Sequence, residues 1–145
     1  LALMYGNGTN AVAPTISVYT VGNSDETNYA YDYIAYAWHS VAKYSSIGTY
    51  TATQTAGSPT ITTDFEPAWV MLKNVDRDQE WVIIDSARGN NPGQTIQPNS
   101  SGAESSANSI IFNSTGFIIN TTGQGNNYAT GDTMIYIAFA VPLTT

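Results

Sequence analysis

The chain has 145 residues, a length typical of one domain, and its lack of cysteine excludes disulfides and zinc sites built on thiolates. Only 10% of its residues are charged, and four basic against eleven acidic residues give a formal net charge of −7. Four scattered cations cannot form the basic stripe that nucleic-acid binding requires, and they also disfavour insertion into or contact with an anionic membrane. No cofactor motif is present. Because the first residue is Leu1 rather than Met, we expect a fragment or a processed product.

Runs of β-branched and aromatic residues, each closed by Gly, Pro, Asn or Asp, predict short β-strands and no helix. In chain order these strands are Ile16–Val21, Tyr31–His39, Ile47–Thr53, Thr60–Thr63, Ala68–Asn74, Glu80–Asp85, Ser109–Phe112, Phe117–Asn120 and Thr133–Val141. Many short strands with turn signals at nearly regular spacing are typical of a sandwich or barrel. The sequence therefore predicts an all-β fold, an antiparallel two-sheet sandwich with a concanavalin-like or jelly-roll-like topology.

The predicted strand Tyr31–His39 is apolar on both of its faces. One face carries Tyr31, Tyr33, Ala35 and Ala37, and the other carries Asp32, Ile34, Tyr36 and Trp38. Since alternate residues of a strand point to opposite sides of a sheet, we expect this strand to be central and covered on both sides. The run Trp81–Ile84 has the same character.

Two stretches between the predicted strands are read as loops. Asn74–Gln79 is polar and short, and it predicts a hairpin loop between two strands. Asn90–Ala107 is long and rich in Gly, Asn, Ser and Pro, and loops of that length often carry function.

A five-residue motif occurs twice, as Tyr33-Ile34-Ala35-Tyr36-Ala37 and as Tyr136-Ile137-Ala138-Phe139-Ala140. Gly/Asn-rich segments precede both copies. We interpret the match as an internal repeat at the spacing of one small domain. Residues 1–43 would then be the C-terminal strands of a preceding repeat, and residues 44–145 a complete sandwich module. In the alternative layout, residues 1–43 supply strands that complete the same sandwich.

Several short segments recur here in a distinctive order: Trp38–Val41, Tyr44–Tyr50, Phe65–Asn74, Trp81–Arg88, Asn99–Glu104, Gly116-Phe117 and Tyr136–Ala140. In order and spacing they resemble a module of marine bacteriophage structural proteins, which include tail-fibre and other virion proteins. The resemblance implies a concanavalin-like sandwich and a location on the phage particle. It also implies assembly with copies of the chain, by analogy a homotrimer, and with other virion proteins. It supplies no catalytic residues.

Aromatic residues are the candidate ligand contacts. Tyr29 and Tyr128 lie in corresponding Gly/Asn-rich loops, and Trp38 ends the first aromatic run. Aromatic rings of this kind can stack on sugar rings, so a glycan of the host surface is a candidate partner. A carbohydrate-binding sandwich is therefore the alternative to a purely structural module. Packing within the fold is the simpler interpretation of each ring.

Acidic residues at alternate positions make a weak calcium candidate. Asp76, Asp78 and Glu80 could present oxygen ligands, but the Gly and the distant Glu of an EF-hand loop are missing. Gly22–Asn28 is a similar weak candidate. A solvated hairpin tip is the simpler interpretation of the first cluster, and we expect no resident metal.

Nothing in the sequence predicts an enzyme. His39 is the only histidine, and the sequence has no Gly-x-Ser-x-Gly motif that would supply a serine nucleophile for it to activate. Asp85 and Glu104 are the best pair for a glycosidase, which needs two carboxylates across a cleft. Arg88 follows Asp85 at three residues, so a local Asp85–Arg88 ion pair is the simpler expectation. We therefore expect a non-enzymatic virion subunit of a tail fibre, spike or capsid decoration, which assembles and attaches to the host surface.

Overall fold

The computed structural model describes Ser17, Val18, Val21 and residues 29–88, 94–107 and 109–141. It divides the chain into two compact units, Leu1–Ala37 and Trp38–Thr145. The described residues of the second unit form eight strands and one 3-10 helix: β1 Ser45–Thr51, β2 Thr60–Thr62, β3 Pro67–Asn74, β4 Val82–Asp85, the helix Ser86–Arg88, β5 Thr95–Ile96, β6 Ile110–Asn113, β7 Gly116–Ile119 and β8 Thr133–Ala140. In the described part of the chain, no helix has the length and apolar character needed to cross a membrane.

The strands of the second unit form two antiparallel sheets. The larger sheet has the order β1-β8-β3-β4-β5, and the smaller has the order β2-β7-β6. Both sheets contribute to one apolar core, in which the rings of Phe117 and Tyr136 meet edge to face with centroids 5.6 Å apart. The predicted all-β, two-sheet sandwich is confirmed.

Strand β8 shows why the sequence folds in this way. Met134, Tyr136 and Ala138 are buried, and the residues between them are half-buried, so the two-residue period of the sequence divides the strand into two faces. β8 pairs with β1 on one side and with β3 on the other, and this central position fits a strand that is apolar on both faces.

The outer face of the larger sheet carries an unbroken apolar row. Ile47, Ile137, Met71, Ile83 and Ile96 are successive cross-strand partners from β1 to β5, and all five are half-buried. Cross-strand apolar pairs stabilise a sheet by roughly 0.2–1 kcal/mol each. Contacts along this row therefore favour the observed register of all five strands.

The prediction of a strand over Tyr31–His39 is wrong. These residues form no strand, and Ile34 and Tyr36 are exposed by 82% and 75% instead of covered. Alternation records only that a segment suits a sheet, and it does not show that the segment pairs as a strand. Tyr33–Ala37 and the matching motif in β8 therefore differ in structure.

The long predicted loop Asn90–Ala107 contains strand β5, which the sequence did not predict. β5 pairs with β4, and Thr95 also bridges Ser105 farther along the same stretch. Three of the six residues of the predicted strand Ile16–Val21 lie outside the described residues, and the weak calcium candidate Gly22–Asn28 lies wholly outside them.

Candidate functional site

The most exposed apolar side chains belong to the segment Tyr29–Ala37, which we call the aromatic segment. The exposed fractions of Tyr31, Ile34 and Tyr36 are 73%, 82% and 75%. The Tyr29 and Tyr31 rings lie 5.2 Å apart, and the Tyr29 N–H donates a hydrogen bond to the Tyr33 hydroxyl. Contiguous exposed apolar side chains mark interaction surfaces in soluble proteins. The predicted contact residue Tyr29 therefore belongs to a larger apolar surface.

Two further predicted residues follow in the second unit. Trp38 is exposed by 55%. The His39 Nδ1 atom lies 3.0 Å from the Ser40 carbonyl oxygen, and the His39 carbonyl accepts a hydrogen bond from the Ser45 hydroxyl. These contacts fix the backbone where the chain approaches β1, and they give His39 a local structural role.

A short hairpin covers the start of β1. Val41 bridges Ser45, and the Ser40 hydroxyl lies within hydrogen-bond distance of both the N–H and the carbonyl of Ile47. One serine side chain thus takes the place of a backbone partner at Ile47. The backbone pairing of the hairpin ends there, because the Ser40 hydroxyl already binds the N–H and the carbonyl of Ile47.

Beyond Ile47, β1 has no partner on its outer side among the strands that the structure describes. The Tyr44 carbonyl accepts a hydrogen bond from the Ala140 N–H, and the Ala52 N–H donates one to the Asp132 carbonyl. The backbone groups of the even-numbered residues in this stretch therefore point towards β8. In an antiparallel strand the alternate residues direct their backbone groups to the opposite side. Thr49 and Thr51 therefore point their N–H and carbonyl groups away from β8, and both residues are exposed. We call these groups the open edge.

The loop before β8 is held by a buried asparagine. The Asn127 Oδ1 atom accepts hydrogen bonds from the Thr53 and Gln54 N–H groups, each at 2.8 Å. Its Nδ2 group donates to the Thr121, Thr55 and Ser58 carbonyls. Asn127 is fully buried. A rigid loop results, and it presents the next residue to solvent.

That next residue is Tyr128, which lies beside the ion pair of Arg77 and Asp132. Tyr128 is exposed by 41%, and the Arg77 guanidinium lies over its ring at 5.4 Å from the centroid. The Arg77 Nε donates to Asp132 Oδ2 at 2.6 Å, and the Asn74 amide donates to the same oxygen. The hydrogen bond from Arg77 lowers the pKa of Asp132 below its ordinary value. A sugar ring could stack only on the face of Tyr128 opposite Arg77.

The weak calcium candidates are spread along the loop between β3 and β4. The Asp76 carboxylate accepts a hydrogen bond from the Thr133 N–H, whereas Asp78 and Glu80 are exposed. Among the residues that the structure describes, no three acidic or histidine side chains are grouped closely enough to hold a metal ion.

Arg88 binds both carboxylates of the candidate glycosidase pair, Asp85 and Glu104. Arg88 Nε donates to Asp85 Oδ2 at 2.6 Å, as the sequence predicted, and its Nη1 contacts the Glu104 carboxylate. The hydrogen bond to Asp85 raises the pKa of Arg88. The guanidinium binds both carboxylates, so this cluster links the end of β4 to the following loop.

Sequence reasoning missed two of these features. Asn127 stands in a Gly/Asn-rich stretch, where asparagine usually signals only a turn. The open edge could not be found, because strand order decides which strand lies at an edge. The absence of Pro and charged residues from Ser45–Thr51 was the available signal, but it acquires meaning only with the topology.

The chain belongs to the family described as domain of unknown function (DUF7483), whose model matches residues 3–142. No curated protein and no solved structure matches the chain.

Proposed function

We propose that this DUF7483 chain is a structural module of a bacteriophage virion, which acts by assembly with copies of itself and with other virion proteins. The observation that carries the proposal is the exposure of the aromatic segment. Its most exposed apolar side chain, Ile34, is exposed by 82%. The phage context itself comes from the sequence resemblance.

The energetics favour assembly. Burying apolar surface contributes roughly 25 cal/mol per Å², so a row of large rings and one isoleucine can stabilise a contact substantially. Asp32 is the only charged residue in the segment, so identical copies meet little charge repulsion there despite the net charge of −7. A homotrimer is the arrangement expected by analogy with phage appendages.

The oligomeric state tests the assembly part of this proposal. Light scattering and sedimentation equilibrium of the whole chain across a wide concentration range should show a defined oligomer. The double variant Ile34→Lys/Tyr36→Lys should shift the equilibrium towards monomer. Ser100→Lys, a lysine substitution at an exposed site on a different loop, is the matched control and should leave the equilibrium unchanged. A monomer at every concentration would contradict assembly through this segment.

The virion location needs a separate test. Antibodies raised against the chain should label intact particles of the phage that encodes it, and electron microscopy would show which appendage carries the label. Absence of the chain from purified particles, measured by mass spectrometry, would contradict the virion role even if the chain oligomerises.

Glycan binding is the alternative function, and the exposed rings of Tyr29, Trp38 and Tyr128 support it. A glycan array probed with the whole chain tests it, with Trp38→Ala and Tyr128→Ala as variants. Binding that both variants lose would favour attachment to a host-surface sugar. Binding that neither variant changes would place the sugar contact elsewhere.

The proposal includes no catalysis, no cofactor and no resident metal. The shared contact of Asp85 and Glu104 with Arg88 supports the first part, because it gives both carboxylates a structural role. Cleavage of a phage-host glycan that Asp85→Asn and Glu104→Gln both abolish would contradict it.

A further inference from the structure

The open edge of β1 lacks the usual protection of an edge strand. Natural proteins protect such edges with charged residues, proline, bulges or very short strands. β1 has seven residues, of which the hairpin through Ser40 and Val41 covers only the start, and it contains neither a charged residue nor a proline. By contrast, β5 at the other end of the larger sheet has only two residues, and Ser105 bridges it.

We propose that the open edge binds the aromatic segment of a second copy of this chain as an added, sixth strand. The contact would pair Thr49 and Thr51 of one copy with residues of the segment Tyr31–Ala37 of the other. This inference rests on the proposed function, because it names the surface and the partner through which copies would assemble.

The sequence of the aromatic segment suits it to pair with β1. The motif Tyr33–Ala37 matches Tyr136–Ala140 of β8, and β8 is the strand that already pairs with the inner edge of β1. A segment of the same composition and alternation is therefore suited to lie beside β1. Its residues are exposed and form no strand in the described part of the chain.

The contacts of Ser40 favour an occupant from another copy. The Ser40 hydroxyl occupies the N–H and the carbonyl of Ile47, and this ends the hairpin that leads into β1. To continue that hairpin onto Thr49, the same chain would have to break both Ser40 contacts. A segment from a second copy can pair with Thr49 and Thr51 while Ser40 stays in place.

Hydrogen bonding and packing would both contribute to the contact. An added strand supplies partners for exposed backbone groups in an orientation that β1 already fixes, as in other cases of strand addition. The alternation of the segment would place Ile34 and Tyr36 on one face of the extended sheet. Neither Thr49 nor Thr51 carries a charge that would oppose the approach of Asp32.

The decisive experiment uses the whole chain and two edge variants. Thr49→Pro removes an N–H that points away from β8, so it blocks the added strand without removing a bond of the β1–β8 ladder. Thr51→Lys protects the edge with a charge and serves as the second variant if the proline disturbs folding. Thr62→Lys, at an exposed position in β2 of the other sheet, is the matched control.

Two quantities should be measured: the dissociation constant by sedimentation equilibrium, and the hydrogen exchange of the Thr49 and Thr51 amides by NMR. We expect both amides to become protected as the wild-type chain associates. We also expect Thr49→Pro and Thr51→Lys to weaken association at least tenfold, and Thr62→Lys to leave it unchanged.

The contrary outcomes are distinguishable. Association that persists in both edge variants, with unprotected Thr49 and Thr51 amides, would overturn the added strand and leave the proposed assembly intact. A monomer at all concentrations with unprotected amides would overturn both proposals. Amides that are already protected in the dilute monomer would show that the partner of the edge belongs to the same chain, which would overturn the second copy as occupant.

Discussion

The side-chain oxygen of Asn127 accepts a hydrogen bond of 2.8 Å from the backbone N–H of Thr53, a residue 74 positions earlier in the chain. The same oxygen binds the N–H of Gln54, whose φ of 56° is uncommon for a residue with a side chain. A single amide therefore joins the loop after β1 to the loop before β8. The chain turn at Gln54 depends on it.

We expect Asn127→Ala to lower the free energy of unfolding by about 3–5 kcal/mol, because several buried backbone groups would lose their partner. Urea unfolding followed by tryptophan fluorescence measures the change. Asn113→Ala is the matched control, since the Asn113 side chain bonds only within an exposed turn to Thr115, and its loss should cost about 1 kcal/mol or less. Equal losses for the two variants would contradict the role assigned to Asn127.

The Arg77–Asp132 pair predicts an acid-sensitive part of the stability. The hydrogen bond from Arg77 lowers the pKa of Asp132 in the folded chain, relative to an ordinary value of 3.8. The stabilisation is therefore fully present above about pH 4, and it is lost as the pH falls through the lowered pKa of the folded state. In Asp132→Asn, the free energy of unfolding should fall less between pH 5 and pH 2 than in the wild type.

A carboxylate outside the pair provides the control for this pH series. Asp78→Asn changes the same charge at an exposed position of the loop between β3 and β4, so its pH profile should parallel that of the wild type. Parallel profiles for Asp132→Asn and the wild type would show that the pair does not contribute to the acid dependence.

The approach of β2 to β7 requires a glycine at position 116. A Cβ atom added there would lie 1.9 Å from the Ile61 carbonyl oxygen, which belongs to the backbone and cannot move aside alone. We expect Gly116→Ala to destabilise the fold by about 2–3 kcal/mol or more, as overpacking does in other cores. Gly102→Ala, where a Cβ would meet the Ser100 hydroxyl at 3.3 Å and the Gln97 side-chain oxygen at 4.0 Å, should change the melting temperature little.

Substitution within the aromatic segment should separate assembly from folding. Because Ile34 is exposed by 82%, Ile34→Lys should alter the free energy of unfolding of dilute chain by no more than about 0.5 kcal/mol. A thermal melt at low concentration checks this. A loss comparable to that of a core substitution such as Val70→Ala would show that Ile34 supports the fold itself.

Most of the strands could be predicted from the sequence because their side chains alternate and turn residues close them. Seven of the nine predicted strands correspond to β1–β4 and β6–β8, with ends that differ by a few residues. Tyr31–His39 carries the same pattern, yet it forms no strand. Alternation of side chains shows that a segment could have two distinct faces in a sheet. Which strand it pairs with depends on the order of the strands, and the local sequence does not show that order.

The candidate site was predictable in part. Tyr29, Trp38 and Tyr128 were candidate ligand contacts, with packing within the fold as the simpler interpretation of each. All three residues are exposed, although no ligand contact follows from exposure alone. The open edge and the contacts of Asn127 join residues that are distant in sequence. No local pattern encodes them, because the same residues in another strand order would have other neighbours.

The order of the larger sheet places the first and last strands of the second unit side by side. The Ala140 N–H donates a hydrogen bond of 2.9 Å to the Tyr44 carbonyl, so the polypeptide reaches β1 and leaves β8 at almost the same point. A unit with adjacent ends can be inserted into a loop of a larger protein without separating the two ends of that loop. It can also be circularly permuted: a short linker would join Val141 to Tyr44, and the new ends would lie at the exposed residues 100–102.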